Sequence, residues 1–401
     1  MWDGPAVAIS SKPDLIELCL ERRLAWGGHG KTYVLDLSGQ IPDAVLPDGV
    51  EKVIVDPVAL IEDPDDAIDL AGELFKSGIA GQSPTASGDS GDAFWETSTT
   101  GLLAGVLLAA GADGVAWARA AVGRVNPSDP EDEDQPCWAN AMGRLERMGP
   151  EMEMFADEIA EAAESEEKMR DSIRMTAKSA MSPWRRSTVR GRHDERAFQP
   201  SMLEDPRATL FVVATADGAA AGAAVAAVEA ISTHWRRGQT RPEKLPYLLL
   251  AVDELCNTLP WSKLPVVVTE SRAMGLALLV AVQSTQQLAR RYGHDGMDEL
   301  RTVFPAILCL AGTATTEKDI LQAAAAAHGR SERLKLTVDH LGHQSQTSEL
   351  IETLHYTDLV PKDMDHGRLL RGSPATDTGP ALDEAGVEVD LVDIDSLPFV
   401  A

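Results

Sequence analysis

The chain is poor in cysteine: its 401 residues contain four, and no two of them form a CxxC pair. The four are Cys19, Cys137, Cys256 and Cys309. This scatter indicates neither a zinc site nor a disulfide framework, and it suits a reducing compartment. We therefore expect no metal cage and a cytoplasmic location.

Positive charge is also scarce. The 36 Lys and Arg residues face 63 Asp and Glu residues, which gives a formal net charge of −27. Because affinity for duplex nucleic acid comes mainly from Lys and Arg that neutralise phosphates, this balance excludes a surface that binds nucleic acid all over. Any such contact must be local. With 44% hydrophobic residues the chain is not disordered and can bury a large core.

Long hydrophobic runs are missing as well. The N-terminus carries Asp3 and Gly4 where a signal peptide would have basic residues. The most apolar run, residues 101–112, is soon interrupted by Asp113 and Arg119. We expect no transmembrane segment in this chain.

A phosphate-binding loop of the form GxxxxGK[ST] does not occur in the sequence. The closest approach, GGHGKT at residues 27–32, has Ala25 where the first Gly is required. It also follows a predicted helix and precedes a predicted strand, whereas a true phosphate loop follows a strand and begins a helix. We interpret it as a Gly-rich helix end and turn.

Strand patterns and helix patterns alternate over much of the chain, which is typical of a parallel sheet covered by helices. Helices are predicted at residues 14–23, 66–75 and 218–235. Strands are predicted at residues 6–9, 33–37, 52–55, 209–214, 248–252, 276–282 and 306–310. The predicted fold class is α/β.

Helical spacing replaces the strand patterns from Phe94 to Trp184, which predicts an all-α insertion. Residues 375–401 carry seven acidic side chains and no basic one, which predicts a solvated, mobile tail. The expected domains are the first part of the α/β body, the insertion, the second part of the body, a C-terminal extension and the tail, at residues 1–90, 91–190, 191–330, 331–372 and 373–401.

Two adjacent carboxylates, Asp253 and Glu254, follow the apolar strand at residues 248–252. Open α/β folds bind ligands at the carboxyl edge of the sheet, where these side chains would lie. In an ATPase, Asp253 would hold Mg²⁺ through its water shell, and Glu254 would orient or deprotonate the attacking water. The alternative is that both side chains are merely solvated or cap a helix.

Two further polar residues belong to this pattern. Gln283 ends the next predicted strand, where it would contact the γ-phosphate or the lytic water, or else cap the following helix. Arg272 precedes that strand, where it would reach the nucleotide of a neighbouring subunit, or else pair with Glu270 on the surface.

A basic segment stands out in this acidic chain. Residues 170–196 contain eight Lys or Arg and three acids. Its arginines Arg185, Arg186, Arg190 and Arg192 are candidate contacts to a DNA backbone. Internal charge balance with the acidic residues of 151–167 is the alternative.

Taken together, the motifs resemble the TraG/TraD family of type IV secretion coupling proteins, the ATPases of conjugative DNA transfer. The likeness is carried by DELCNTLP, ESRAMGLALLVAVQS and TQQLARRYG between residues 245 and 293, by GPAVAISSKPDL at the start, by the helical block that begins at Phe94, and by residues 358–371. In order and spacing it extends over most of the chain.

The resemblance implies a RecA-like ATPase body with an inserted all-α domain, assembled as a membrane-associated hexamer around a DNA channel. ATP and Mg²⁺ are the implied cofactors. The implied partners are DNA with an attached relaxase and the secretion channel proteins, at the cytoplasmic face of the membrane. By position, Asp253 and Glu254 match the Walker B pair, Gln283 the strand-end sensor and Arg272 the Arg of the intervening turn.

The family pattern also includes transmembrane helices and a phosphate loop ahead of the region that this sequence matches. We therefore expect the strand at residues 6–9 to lack its neighbour, the strand that leads into that loop, and to expose an apolar edge. Two other readings stay open. One is a non-catalytic, truncated homologue that recruits substrate as a scaffold. The other is a different RecA-like ring motor, such as one of the FtsK type.

Overall fold

The computed structural model describes residues 2–27, 31–80, 90–192, 195–215, 220–313, 317–327, 329–338, 344–371 and 387–391. They fall into two compact units. The first consists mainly of Met1–Gln283, and the second of Ser284–Ala289 and Gly293–Phe399.

The first unit is built on a seven-stranded sheet in which every described pair of neighbours is parallel. Its strands are β1 (Ala6–Ser10), β2 (Thr32–Asp36), β3 (Val50–Ile54), β4 (Arg196–Ala197), β5 (Thr209–Val213), β6 (Leu248–Val252) and β7 (Leu276–Val280). Their order across the sheet is β4-β3-β2-β5-β1-β6-β7. The residues of β2 and β5 are buried throughout, as the apolar runs of an internal parallel strand predict.

The expected exposed edge lies on a different strand. β1 is paired on both sides, with β5 through Ala6↔Thr209 and with β6 through Ala6↔Leu249. The prediction that residues 6–9 lack a neighbour is therefore wrong. β7, the neighbour of β6, is the last strand at this end of the sheet, and its outer edge is unpaired among the described residues. Leu279 on β7 is 63% exposed.

Helices connect the strands of the first unit. They are α1 (Asp14–Gly27), α2 (Pro64–Ala80), α9 (Ala221–Gly238), α10 (Leu255–Thr258) and α11 (Leu264–Met274). Helix α1 packs on β1 and β5, and α11 packs on β7 and α9. Helix α11 ends at Gly275, whose φ of 73° is the left-handed C-cap conformation that favours glycine.

The predicted all-α insertion lies between β3 and β4. It contains α3 (Ser90–Ala110), α4 (Gly114–Ala121), α5 (Trp138–Met148), α6 (Glu153–Glu164), α7 (Glu167–Ala180) and α8 (Ser187–Arg190). Helix α3 packs against α2, α4, α5, α6 and α7, so it is the core of this domain.

One helical stretch of the described residues, Glu96–Ala121, is long and apolar enough to cross a membrane by length and composition. Within the domain 61% of its most apolar window is buried, and Leu103 and Leu107 are fully buried. A core helix passes the same test, so the stretch is weak evidence for a membrane span.

The second unit contains α12 (Thr285–Val303), most of which belongs to it, β8 (Ala306–Cys309), α13 (Lys318–Ala327), β9 (Arg330–Val338), β10 (Gln344–Glu352), β11 (His366–Arg371) and β12 (Val387–Asp390). β9 and β10 form an antiparallel hairpin, and β11 pairs antiparallel with both β8 and β12.

Two expectations differ from this arrangement. β8 pairs with β11 instead of joining the parallel sheet, so the boundary of the α/β body falls after Gln283 and not at residue 330. Val387–Asp390 forms strand β12, so the prediction of a mobile tail is wrong for these four residues. The rest of the predicted tail, apart from Leu391, lies outside the described residues.

A buried acidic pair ties the segment after β6 to helices α2 and α9. Glu73 on α2 is 1% exposed, and Ser262 Oγ donates to its carboxylate, with 2.7 and 2.9 Å to the two oxygens. Glu229 on α9 accepts from Trp261 Nε1 at 2.8 Å and from Lys263 Nζ at 2.6 Å. Burial raises the pKa of Glu73, against the hydrogen bond from Ser262, which lowers it.

This raised pKa makes a pH-dependent prediction for Glu73→Gln, which keeps an acceptor for Ser262 but does not titrate. The folded protein binds the proton of Glu73 more tightly than the unfolded chain does, so the wild type loses stability as pH rises above the ordinary carboxyl pKa. Urea unfolding between pH 5 and pH 8 should show the free energy of unfolding of the wild type falling relative to that of Glu73→Gln.

Ser262→Ala supplies the matched comparison, because it removes the hydroxyl that favours the carboxylate. Its loss of stability with rising pH should be steeper than that of the wild type. Wild-type and Glu73→Gln curves that run parallel over this range would show that Glu73 ionises in the folded protein without penalty.

Candidate functional site

The strand pairing of β6 places both carboxylates at the carboxyl edge of the sheet. Asp253 N donates to Ile9 O of β1 at 2.8 Å, and Leu255 N donates to Ala281 O beyond β7 at 3.0 Å. The ladder thus continues past Val252 on both sides, and Asp253 and Glu254 leave the sheet between the ends of β1 and β7. Both side chains are half-buried.

Gln283 meets this pair. Its Nε2 donates to Glu254 Oε1 at 3.1 Å, so the strand-end amide and the second carboxylate are in direct contact. Gln283 does not cap the following helix, because Ser284 is the N-cap of α12 and its hydroxyl accepts from Gln286 N. Glu254 also makes no side-chain cap to α10, although it occupies the N-cap position.

Glu254 has an unusual backbone. Its φ of 51° and ψ of 48° are left-handed, and no other non-glycine residue of the described chain has a positive φ. For a residue with a Cβ this conformation costs about 1–2 kcal/mol. Such strain persists only where the surroundings impose it, and it clusters at functional sites.

Two further residues lie at this edge that the sequence analysis did not select, Ser10 and Asp14. Ser10 ends β1, is 2% exposed, and its hydroxyl lies 3.0 Å from Asp14 Oδ1 and 3.4 Å from Asp253 Oδ2. The available signal was the pair Ser10-Ser11 after an apolar strand, since the carboxyl ends of parallel strands share one edge.

The oxygen atoms of Asp253, Ser10 and Asp14 are the ligand type that Mg²⁺ prefers. Among the described residues, no group of three or more His, Cys, Asp or Glu side chains is arranged to hold a metal ion. A Mg²⁺ ion at this edge would therefore take most of its ligands from water and nucleotide, which is how Mg²⁺ is usually bound at phosphate sites.

Asp36, at the end of β2, shows why not every strand-end carboxylate is a candidate. It is 3% exposed, and its oxygens accept from the backbone N–H groups of Ser38, Gly39, Gln40 and Ile41. These bonds close its own loop, which gives Asp36 a structural role.

Arg272 lies at the opposite edge of the sheet. It is in the last turn of α11, just before the amino end of β7, whereas Gln283 follows the carboxyl end. A five-residue strand separates the two ends by about 16 Å. Glu270 accepts from Arg236 at 2.8 Å, so the surface pair with Arg272 is not formed. Arg272 is exposed, and its side chain has no partner in the described part of the chain.

The basic segment is exposed where α7 and α8 lead back to the sheet. Arg185, Arg186, Arg190 and Arg192 are all exposed. Arg192 pairs with Asp43 at 2.9 Å and with Glu195 at 3.3 Å. Neither of these acids belongs to residues 151–167, the run that the charge-balance alternative requires.

The GGHGKT stretch runs from the last residue of α1 to the first residue of β2, which confirms that it follows a helix and leads into a strand. Its residues 28–30 lie outside the described chain.

Cys256 lies two residues after Glu254, and burial raises the pKa of its thiol to about 11. Cys256 is therefore protonated at neutral pH and is not a nucleophile at this edge.

Comparison with known proteins agrees with this architecture. The family model described as Type IV secretory system Conjugative DNA transfer matches residues 52–323. No curated protein matches the chain by sequence.

Several solved structures share the fold. The bacterial conjugative coupling protein TrwBdeltaN70, in a trigonal form with sulphate, matches with a TM-score of 0.62 and 17% identity over 97% of this chain and 79% of that chain. TrwB with the GTP analogue GDPNP matches with a TM-score of 0.58 and 16% identity over 98% and 88%. TrwB with ADP and Mg²⁺ matches with a TM-score of 0.58 and 15% identity over 99% and 86%.

At these identities the structural matches show the fold, and they confirm the expected RecA-like α/β body with a helical domain. The family match covers more than half of the chain and includes Asp253, Glu254, Arg272 and Gln283. The chain therefore belongs to the type IV secretory system conjugative DNA transfer family, the coupling proteins of the TraG/TraD type that its motifs resemble.

Proposed function

We propose that this chain forms the body of a conjugative coupling motor. Together with a phosphate-binding loop, this body binds ATP with Mg²⁺ and uses hydrolysis to move DNA with an attached relaxase to the secretion channel. The observation that carries the proposal is the meeting of Asp253, Glu254 and Gln283 at one edge of a parallel sheet. The motor works at the cytoplasmic face of the membrane, as a ring of identical chains.

The three side chains have distinct roles in this proposal. Asp253 would hold Mg²⁺ through its water shell, and the ion would supply positive charge against the phosphates of a bound nucleotide. Glu254 orients the attacking water or takes its proton. Gln283 donates to Glu254 at 3.1 Å and so fixes the carboxylate while its amide reaches toward the γ-phosphate or the water.

The position of Arg272 supports the ring. Arg272 is exposed and at the amino edge of the sheet, about 16 Å of strand away from its own Glu254. It cannot stabilise charge at that site within one chain. In a ring, the amino edge of one subunit can face the nucleotide of the next, where an Arg lowers the barrier to phosphoryl transfer. The proposed ring is a hexamer.

The unpaired edge of β7 supports a location for the missing phosphate loop. Leu279 is 63% exposed, and its register partner Ala251 on β6 is half-buried, so one face of this corner of the sheet is apolar and incompletely covered. A parallel strand paired with β7 would end beside Gln283, and a helix after it would cover that face. We infer that the strand, loop and helix of the phosphate site occupy this place.

A local DNA contact is consistent with the acidic chain. The exposed arginines Arg185, Arg186 and Arg190 lie together at the junction of the helical domain and the sheet, in a chain whose net charge is −27. Backbone phosphates are the ligand that such a patch fits, because they require charge and not sequence.

The chain of residues 1–401 is expected to hydrolyse ATP negligibly, since Asp253 and Glu254 can position Mg²⁺ and water but the sequence contains no GxxxxGK[ST] loop to hold the phosphates. A phosphate-release assay with purified protein checks this. Robust turnover that Glu254→Gln abolishes would show that the phosphate site has been misplaced.

In a chain extended by a strand, phosphate loop and helix, Glu254→Gln and Arg272→Ala should each slow hydrolysis by a factor of about 10² or more. The effect of Arg272→Ala should appear only in assembled rings, so rates are measured on monomer and ring fractions. Arg290→Ala, at another exposed arginine, serves as the control.

The basic patch should bind DNA weakly and without sequence preference. Replacing Arg185, Arg186, Arg190 and Arg192 with Ala should lower affinity and reduce the log–log salt slope by roughly 0.7–0.9 per lost contact. Gel shifts over a salt series measure both quantities.

A matched variant with four other exposed cations replaced, Arg207, Lys244, Arg290 and Lys362, has the same net charge and should bind DNA as the wild type does. Equal binding by both quadruple variants would favour internal charge balance as the role of the patch.

A further inference from the structure

The left-handed backbone of Glu254 needs something that holds it. Its φ of 51° is unfavourable for a residue with a Cβ, and glycine is the residue that adopts it without cost. The exposed hydrogen bond from Gln283 contacts only the end of the Glu254 side chain, at Oε1, and does not fix φ or ψ. The restraint must act on the main chain on either side of the Glu254 Cα.

Thr258 makes those contacts. Its side chain is completely buried, and Thr258 Oγ1 lies 2.8 Å from Asp253 O and 3.3 Å from Glu254 O. The hydroxyl has one proton, and the nearer acceptor is Asp253 O, the carbonyl that precedes Glu254. The backbone N–H groups of Asn257 and Thr258 also donate to Glu254 O, at 2.8 and 3.1 Å.

A substitution at position 258 can remove the hydroxyl, whereas the backbone hydrogen bonds do not depend on the side chain. The two backbone bonds of Glu254 O form the short helix α10 and are available to any residue except proline at positions 257 and 258. The bond to Asp253 O is different, because this carbonyl precedes the left-handed residue and, among the described residues, Thr258 Oγ1 is its donor. Rotation of this peptide would leave the hydroxyl of the completely buried Thr258 without its nearest acceptor, which is costly, so the bond resists that rotation.

We propose that Thr258 is a positioning residue, which locks Glu254 in the left-handed conformation and thereby directs its carboxylate along the edge toward Gln283. The role of Thr258 in hydrolysis rests on the proposed function, but the lock itself does not. The lock explains how Glu254 keeps a left-handed backbone that glycine would adopt at lower energy. It also gives the buried hydroxyl a purpose that packing alone does not require.

Melting temperatures of Glu254→Gly and Glu254→Ala test the lock in the chain as it exists. Both variants lose the carboxylate, and they differ in whether a Cβ opposes the left-handed backbone. With Thr258 present, the Gly variant should melt higher than the Ala variant by on the order of 2 °C. The same two variants are then made with Thr258→Val, which removes the hydroxyl and keeps the shape, and with Thr258→Ser, which keeps the hydroxyl.

The order of Gly above Ala should survive with Thr258→Ser and should vanish or reverse with Thr258→Val, because residue 254 can then relax to a conformation in which Ala is preferred. If the Ala variant melts as high as the Gly variant when Thr258 is present, the left-handed backbone is not enforced. If the Gly advantage is unchanged with Thr258→Val, the hydroxyl is not the lock. Either result overturns the proposal.

The consequence for hydrolysis is tested separately in the extended chain that carries a phosphate loop. Thr258→Val should lower kcat about tenfold or more and leave KM for ATP within twofold, since a displaced Glu254 affects the attacking water and not the bound nucleotide. Thr258→Ser should restore most of kcat. An extended wild-type chain without activity would refute the proposed function, while the melting comparison would still decide whether Thr258 locks Glu254.

Discussion

The pairing of β6 between β1 and β7 is the constraint on which the site depends. The bonds from Asp253 N to Ile9 O and from Leu255 N to Ala281 O bracket Glu254, so both flanks of this residue belong to the sheet ladder. Because β6 is hydrogen-bonded to a strand on each side, it cannot shift without breaking two ladders. The backbone of Asp253 and Glu254 is therefore held in place by the sheet, and the segment that follows them is held by other contacts.

That segment is anchored on the helices behind it. Trp261 and Lys263 bond to Glu229 on α9, and Ser262 bonds to Glu73 on α2. Helix α2 also packs against α3 and α7 of the helical domain. One helix therefore contacts both the segment that follows the carboxylates and the helical domain.

Much of this architecture could be predicted from the sequence, because strands and helices have periodic patterns and polar residues mark where strands end. The strands at residues 6–9, 248–252 and 276–282, the helical insertion and the polar strand ends all follow from local patterns. The neighbours of each strand do not, since pairing is decided by packing over long separations. This is why the exposed edge was expected on β1 and is found on β7, and why β8 pairs with β11. Ser10 and Thr258 escaped notice because a single hydroxyl carries no pattern until the fold places it beside a carbonyl or a carboxylate.

The charge at this edge explains why the proposed chemistry needs help from elsewhere. Asp253 and Glu254 have no ion-pair partner among the described residues, so both add negative charge where a nucleotide would bring more. Negatively charged carboxylates and phosphates that lie close together in a partly buried site repel each other strongly. Binding a triphosphate here therefore requires positive charge that the two carboxylates do not supply, from Mg²⁺, from the Lys of a phosphate loop and from an Arg of another subunit. The exposed, unpaired Arg272 at the far edge fits the last of these needs, because it is useless to its own site and available to a neighbour's.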